Sequence, residues 1–250
     1  MVLINTYVTV GFSLVMGLSI FISMPLVLKR NIGYKKILLF NAIAIGVLVF
    51  LLMDIYGNVA SIFGNINIAS PFEIVFILGF SLAFLFFILP KTSRDPIENP
   101  KKTSILAAIG IGLQNLTEGL VFGSAGAAGF GAIWLISLIG FTLQNITEGF
   151  PIATPLLGRN KKIKKKFIVG VFLIGGLPTI IGTVIGLNYY SQMFIVFFDA
   201  IASAAILYVV LVLFHINLKR SFSENVKKMM FITYIGILIG FIIAFITNYI

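Results

Sequence analysis

Long apolar runs, separated by short polar segments, set the pattern of this chain. Each run reaches the roughly 20 residues that a helix needs to cross a bilayer. Eight such runs cover residues 4–28, 36–56, 70–90, 103–123, 131–153, 166–188, 192–214 and 229–249. The pattern therefore predicts an all-α integral membrane protein with eight transmembrane helices, which form a single domain over residues 1–250.

Composition supports a membrane environment. Hydrophobic residues make up 59% of the chain and charged residues only 10%, whereas about 25% of a typical soluble domain is charged. The chain has no cysteine, which excludes disulfide bridges and thiolate metal sites. We expect a multi-pass protein of the cell membrane, with the lipid bilayer as one of its partners.

The basic residues follow the apolar runs in a regular order. All 18 Lys and Arg lie after the first, third, fifth and seventh runs, up to and including the first residue of the next run, and the other loops hold none. Because cytoplasmic loops carry an excess of Lys and Arg, this order predicts that both termini face the outside. Topology thus accounts for the net charge of +10, and we expect no nucleic-acid partner.

The first three runs resemble the last three. Residues 40–50 read FNAIAIGVLVF and residues 198–208 read FDAIASAAILY, while GFSLAF at 79–84 matches GFIIAF at 240–245. The predicted topology gives the first and the sixth run opposite directions across the membrane. The repeat is therefore expected to be inverted.

This repeat divides the chain into a 3 + 2 + 3 layout. Runs 1–3 at 4–90 and runs 6–8 at 166–249 form the inverted repeats, and the pair at 103–153 lies between them. Inverted repeats are typical of secondary transporters, whose binding site lies near the middle of the membrane. We expect such a site in the central pair.

The central pair carries a duplicated polar motif. Residues 113–119 read LQNLTEG and residues 143–149 read LQNITEG. Side chains three and four positions apart share one face of a helix, so each copy forms a polar stripe. The two stripes contain six candidate metal ligands: Gln114, Asn115, Glu118, Gln144, Asn145 and Glu148.

The chemistry of these stripes favours a bound dication. A charged carboxylate at the centre of a membrane helix costs about 2.5–3.5 kcal/mol, and no apolar run contains a Lys or Arg that could pair with it. One dication would neutralise Glu118 and Glu148 together, and the amide oxygens could complete an oxygen-rich shell. The alternative is that protonated Glu and the amides only hold helices together.

Three further carboxylates lie near the predicted outer ends of runs 2, 3 and 7: Asp54, Glu73 and Asp199. The outer side carries no basic residue that would offset them. They could concentrate cations at an entrance, or they could be ordinary solvated helix ends.

The chain resembles the ZIP family of divalent metal transporters. The resemblance lies in the paired H/Q-N-x-x-E-G motifs of spans 4 and 5, within eight spans whose termini face outside, and it covers essentially the whole chain. It implies that the six motif side chains bind the metal. It also implies transport of zinc, iron or manganese into the cytoplasm, often by a homodimer. The metal is then the cargo, and no prosthetic group is expected.

The sequence departs from the family pattern at informative positions. Gln114 stands where the family usually has His, and Thr179, within GGLPTIIG at 175–182, stands where the family often has Glu. Thr179 is therefore expected to line the site without supplying charge. With only two carboxylates, a two-metal site is not expected. The loss of imidazole favours manganese or ferrous iron over zinc, because harder ions prefer oxygen ligands.

Other functions stay open on the sequence alone. A proton-coupled carrier of a small organic solute could use Glu118 and Glu148 as proton relays. A degenerate family member that does not transport is also consistent with the missing ligands. We do not expect an enzyme, because the loops are short and the chain has no Ser/His or Cys/His pairing.

Overall fold

The structure, a computed structural model, describes residues 2–28, 32–63, 70–88, 99–129, 131–157, 163–221 and 226–249. These residues are helical almost throughout and contain no strand, which confirms the all-helical prediction. The helices are α1 (Val2–Ser19), α2 (Pro25–Leu28), α3 (Tyr34–Phe63), α4 (Pro71–Ile88), α5 (Pro100–Ala128), α6 (Ala132–Ala153), α7 (Lys165–Gly186), α8 (Gln192–Ser221) and α9 (Val226–Tyr249).

Seven helical stretches of the described chain are long and apolar enough to cross a membrane, so the protein has the character of a multi-pass membrane protein. They are Thr6–Leu28, Lys35–Phe63, Pro71–Ile88, Pro100–Ala128, Lys165–Gly186, Gln192–Lys219 and Val226–Ile246. The predicted fifth span is the helix α6, which is not among the seven. It carries its polar motif within only 22 residues, whereas α5 carries the same motif within 29 residues.

Proline shapes the helices that surround the central pair. The first span changes to a 3-10 helix over Ile20–Ser23, directly before Pro25 begins α2. Pro178 lies inside α7 and Pro151 inside α6. Proline has no backbone N–H and its ring crowds the preceding turn, so each of these positions interrupts the regular helical hydrogen bonding.

The packing order differs from the order along the chain. Helix α5 lies at the centre and packs against α7, α8 and α6. Helix α6 packs against the first span and α3, while α4 packs on α8 and α9 packs on α3. The consecutive helices α3 and α4 barely touch. The outer faces of α4 and α9 remain apolar and exposed, with Leu82 67% and Phe231 65% accessible, as lipid-facing surfaces require.

Glycines bring α5 and α7 into backbone contact. Gly119 and Gly123 on α5 lie against the carbonyls of Thr179 and Thr183, and Gly182 on α7 lies against the carbonyl of Leu116. A side chain at any of these positions would collide with main-chain atoms of the other helix. Small residues of this kind allow close approach of membrane helices, and here they bring α7 alongside the first polar motif.

Candidate functional site

The two copies of the polar motif meet between α5 and α6. Asn115 Nδ2 donates to Asn145 Oδ1 at 2.8 Å. Gln144 Nε2 donates to Glu118 Oε1 at 2.6 Å and to Glu148 Oε1 at 3.1 Å. The distance between Glu118 Oε1 and Glu148 Oε1 therefore cannot exceed the combined length of these two hydrogen bonds.

Helical spacing sets the position of each side chain within this cluster. Gln114 Nε2 donates to Glu118 Oε1 at 2.6 Å, as residues four apart on one helix face can do. Asn145 Nδ2 donates to the carbonyl of Phe141 at 2.9 Å on its own helix. Asn115 Nδ2 also donates to the carbonyl of Gly175 at 3.0 Å, which ties α5 to α7.

All six motif side chains are buried, and Glu118 and Glu148 are only 6% and 0% exposed. Their environment supplies too few hydrogen-bond donors. Six buried oxygen atoms of the cluster and its surroundings have no hydrogen-bond partner: Gln114 Oε1, Asn115 Oδ1, Glu118 Oε2, Gln144 Oε1, Glu148 Oε2 and Thr179 Oγ1. Buried polar atoms are rarely left unpaired in proteins, so this number in one cluster needs an explanation.

The missing donors cannot come from a basic side chain of the central pair. Residues 103–157 contain no Lys, Arg or His. The cluster therefore combines two carboxylates and several amide oxygens with no positive charge from residues 103–157 to offset them. A cation that prefers oxygen ligands would supply the positive charge that these oxygen atoms lack.

Thr179 lies on α7, against the helix that carries the first motif. It is fully buried on α7, and its carbonyl faces Gly119, the neighbour of Glu118 in the chain. Its hydroxyl oxygen is one of the six without a partner. Thr179 therefore lies between the first motif, which its carbonyl meets, and Gly17 of the first span, which its Cβ meets.

The three carboxylates predicted at outer helix ends have different surroundings. Asp199 is only 3% exposed, and its Oδ1 accepts from Thr117 Oγ1 at 2.8 Å. Since Thr117 belongs to the first motif, Asp199 is a third buried carboxylate directly beside the cluster. Asp54 is half-buried on α3, and its Oδ2 accepts from Asn58 Nδ2 at 3.4 Å on the same helix.

Glu73 has a local role at the start of α4. Its Oε2 accepts from the backbone N–H of Ser70 at 3.0 Å, and the Ser70 hydroxyl accepts from the backbone N–H of Glu73 at 3.3 Å. This reciprocal pair is a capping box, which satisfies N–H groups that a helix start leaves without partners. The structure therefore places Asp199 beside the cluster and gives Glu73 a capping role.

Two serines that the sequence pattern did not single out hold α6 at the level of its motif. Ser19 Oγ donates to the carbonyl of Thr142 at 3.0 Å, and Ser23 Oγ donates to the carbonyl of Ile146 at 2.7 Å. Both serines lie at the bend of the first span, around the 3-10 helix. Their only sequence signal is a pair of small polar residues before Pro25.

The donor set differs from that of a metal site rich in ionisable ligands. In the part of the chain that the structure describes, no three His, Cys, Asp or Glu side chains form a group that could hold a metal. Glu118 and Glu148 would share a cation with amide oxygens instead. Oxygen-only sites of this kind suit hard dications.

Comparison with known proteins adds no identification. Neither a protein-family model nor any curated protein matches this sequence. The function is therefore inferred from the geometry and chemistry of the cluster.

Proposed function

We propose that this chain is a secondary transporter that carries a divalent metal cation, namely zinc, iron or manganese, across the membrane into the cytoplasm. Its transport site is the cluster between α5 and α6. The observation that carries this proposal is the set of five buried oxygen atoms without hydrogen-bond donors at the Glu118–Glu148 pair, on Gln114, Asn115, Glu118, Gln144 and Glu148.

The charge of the cargo follows from the two buried carboxylates. Glu118 and Glu148 share one amide donor, Gln144, and an ionised carboxylate in the membrane costs about 2.5–3.5 kcal/mol. One dication neutralises both groups, whereas a monovalent ion leaves one charge uncompensated. Asp199, which lies beside the cluster, and Asp54, at the predicted outer end of the second span, are suited to guide a cation toward the site.

The helix contacts support eight spans arranged as 3 + 2 + 3 inverted repeats. If the first three spans repeat as the last three, the contact of α4 with α8 is equivalent to that of α9 with α3, and both contacts occur. Gly17 and Gly176, matched by the repeat, each lie against the carbonyl of the other. A two-fold axis between the repeats would produce this reciprocity.

The two motifs follow the same relation. Gly119 of the first motif lies against the carbonyl of Thr179, and Gly149 of the second lies against the carbonyl of Ile20. The step along the chain that relates Gly17 to Gly176 also relates Ile20 to Thr179. Helix α6 thus makes with the first span the contact that α5 makes with α7, which supports its assignment as the eighth spanning helix.

Orientation follows from charge. The four basic segments lie on one side of the proposed eight-span topology, which favours cytoplasmic loops and external termini. A carrier in the cell membrane with this orientation would bring its cation inward. The proposed homodimer belongs to the family resemblance and has no further support from the described contacts.

We assign the chain to a divergent branch of the ZIP family on its paired motifs. Gln114 and Thr179 replace an imidazole and a carboxylate of the family pattern, so the donors are all oxygen atoms. Such donors favour manganese or ferrous iron over zinc, since imidazole is the ligand that suits zinc better.

The test is uptake into proteoliposomes with a panel of divalent ions, for the wild type and for Glu118→Gln and Glu148→Gln. We expect each variant to lose most of the uptake while it still inserts and folds, because Gln keeps the size and removes the charge. Glu73→Gln, the same change at the α4 cap, is the matched control and should transport normally. Wild-type uptake by both motif variants would overturn the proposal, and solute uptake driven by pH without metal would favour the organic-solute alternative.

A further inference from the structure

One side chain of the cluster contacts both carboxylates. Gln144 Nε2 donates to Glu118 Oε1 and to Glu148 Oε1. Gln114 donates only to Glu118, on its own helix. The amide of Gln144 therefore occupies, between the two negative groups, the position in which positive charge is most favourable.

A coordinated cation would favour an oxygen atom, instead of an N–H group, at this position. An amide N–H presents the positive end of its dipole, so it is repelled by a cation that the same two carboxylates bind. The oxygen of the amide is a good ligand for such a cation. Nitrogen and oxygen are attached to the same planar carbon, so rotation about the last side-chain bond exchanges their positions.

The oxygen of Gln144 is available for that exchange. Oε1 is buried and has no hydrogen-bond partner, so turning it breaks no hydrogen bond of its own. The rotation gives up the two N–H bonds to Glu118 and Glu148, which the cation replaces with its own charge. Gln144 is 3% exposed, so bulk water does not compete strongly for either end of the amide.

We propose that Gln144 is a two-position residue: its N–H groups bridge Glu118 and Glu148 while no cation is bound, and its Oε1 turns to the ion when a dication binds. The inference rests on the proposed function, since it specifies how the same site accepts its cargo. The amide bridge holds the two carboxylates together in the unloaded carrier. It also sets a threshold for binding, because an ion must carry enough charge to replace both N–H bonds.

The chain is well suited to a direct test. It contains only three glutamines, at positions 114, 144 and 192. Gln192 is exposed at the first residue of α8 and serves as an internal reference. Protein labelled with ¹⁵N in its glutamine side chains gives three amide signals, which Gln114→Met, Gln192→Met and Gln144→Met assign. If Gln144→Met does not fold, the other two variants assign Gln144 by elimination.

The measurement is a titration of the full-length wild type with Mg²⁺ and, separately, Zn²⁺, both diamagnetic, with occupancy followed by calorimetry on the same sample. Hydrogen bonds to carboxylates shift amide protons downfield, so we expect the Gln144 protons to start downfield and to move upfield as the ion binds, with Gln192 unchanged. A Gln144 amide whose protons stay in place or move further downfield at full occupancy would overturn the two-position proposal but leave the transport site intact. No binding of either ion, together with no uptake of any divalent ion by proteoliposomes, would count against the proposed function itself.

Discussion

The contact between α5 and α7 predicts that a single methyl group at Gly119 will both destabilise the protein and disturb the cluster. A Cβ at this position would collide with the carbonyl oxygen of Thr179 and lie 2.9 Å from Thr183 N and 3.0 Å from Thr179 C. All three are main-chain atoms of α7, which cannot rotate away as a flexible side chain could. The two helices must therefore move apart by about 1 Å. Such a gap removes a substantial part of the dispersion attraction between them.

The magnitude follows from two opposing effects of Gly119→Ala. Overpacking of this kind costs about 1–3 kcal/mol, and the better helix propensity of Ala returns about 1 kcal/mol. We expect a net destabilisation of up to about 2 kcal/mol. The separation should also break the bond from Asn115 Nδ2 to Gly175 O, now 3.0 Å long, because this bond joins the same two helices.

Gly140→Ala on α6 is the matched control, since a Cβ there meets no heavy atom within 4 Å. Thermal unfolding in detergent and Mn²⁺ uptake should both decrease for Gly119→Ala, whereas Gly140→Ala should be at least as stable as the wild type and transport normally. If Gly119→Ala unfolded at the temperature of the control and transported equally well, α5 and α7 could not be in the backbone contact described.

Further expectations concern selectivity, the third carboxylate and topology. Gln114→His should raise the affinity for Zn²⁺ relative to Mn²⁺, and the gain should shrink at acidic pH because protonated imidazole does not bind metal; an unchanged Zn²⁺-to-Mn²⁺ competition ratio at neutral pH would remove Gln114 from the ligands. Asp199→Asn keeps an acceptor for Thr117 but removes the charge, so the KM for Mn²⁺ should rise roughly tenfold without loss of stability, and an unaltered KM would refute its guiding role. In this cysteine-free chain, a cysteine at Asn188 should react with an impermeant external reagent and one at Lys164 should not; labelling of Lys164→Cys in intact cells would invert the topology.

The sequence alone determined the properties that depend on local pattern. Apolar runs longer than a bilayer requires can satisfy their backbone only as helices, so the all-helical membrane character followed directly. The spacing of Gln114, Asn115 and Glu118 placed them on one helix face, because a helix turn takes about 3.6 residues. The duplicated motif, on two helices of antiparallel order, indicated that the stripes would converge if those helices face each other.

Only the tertiary structure decided which distant elements share a surface. Asp54, Glu73 and Asp199 looked alike in the sequence, yet Asp199 reaches Thr117 while Glu73 caps α4. The difference arises because α8 packs along α5, whereas the start of α4 meets its own preceding turn. No local pattern encodes that choice, since it depends on how helices far apart in the chain fit together.

The hydrogen bonds within the site could not be predicted from the sequence, for the same reason. Hydropathy and spacing predicted oxygen ligands around Glu118 and Glu148, but not that one amide, Gln144, would bridge them. That bridge requires a particular separation of α5 and α6. Neighbouring contacts set this separation, among them the hydrogen bonds that Ser19 and Ser23 of the first span donate to carbonyls of α6. Periodicity along one helix determines which face is polar, and packing against other helices determines which atoms on that face meet.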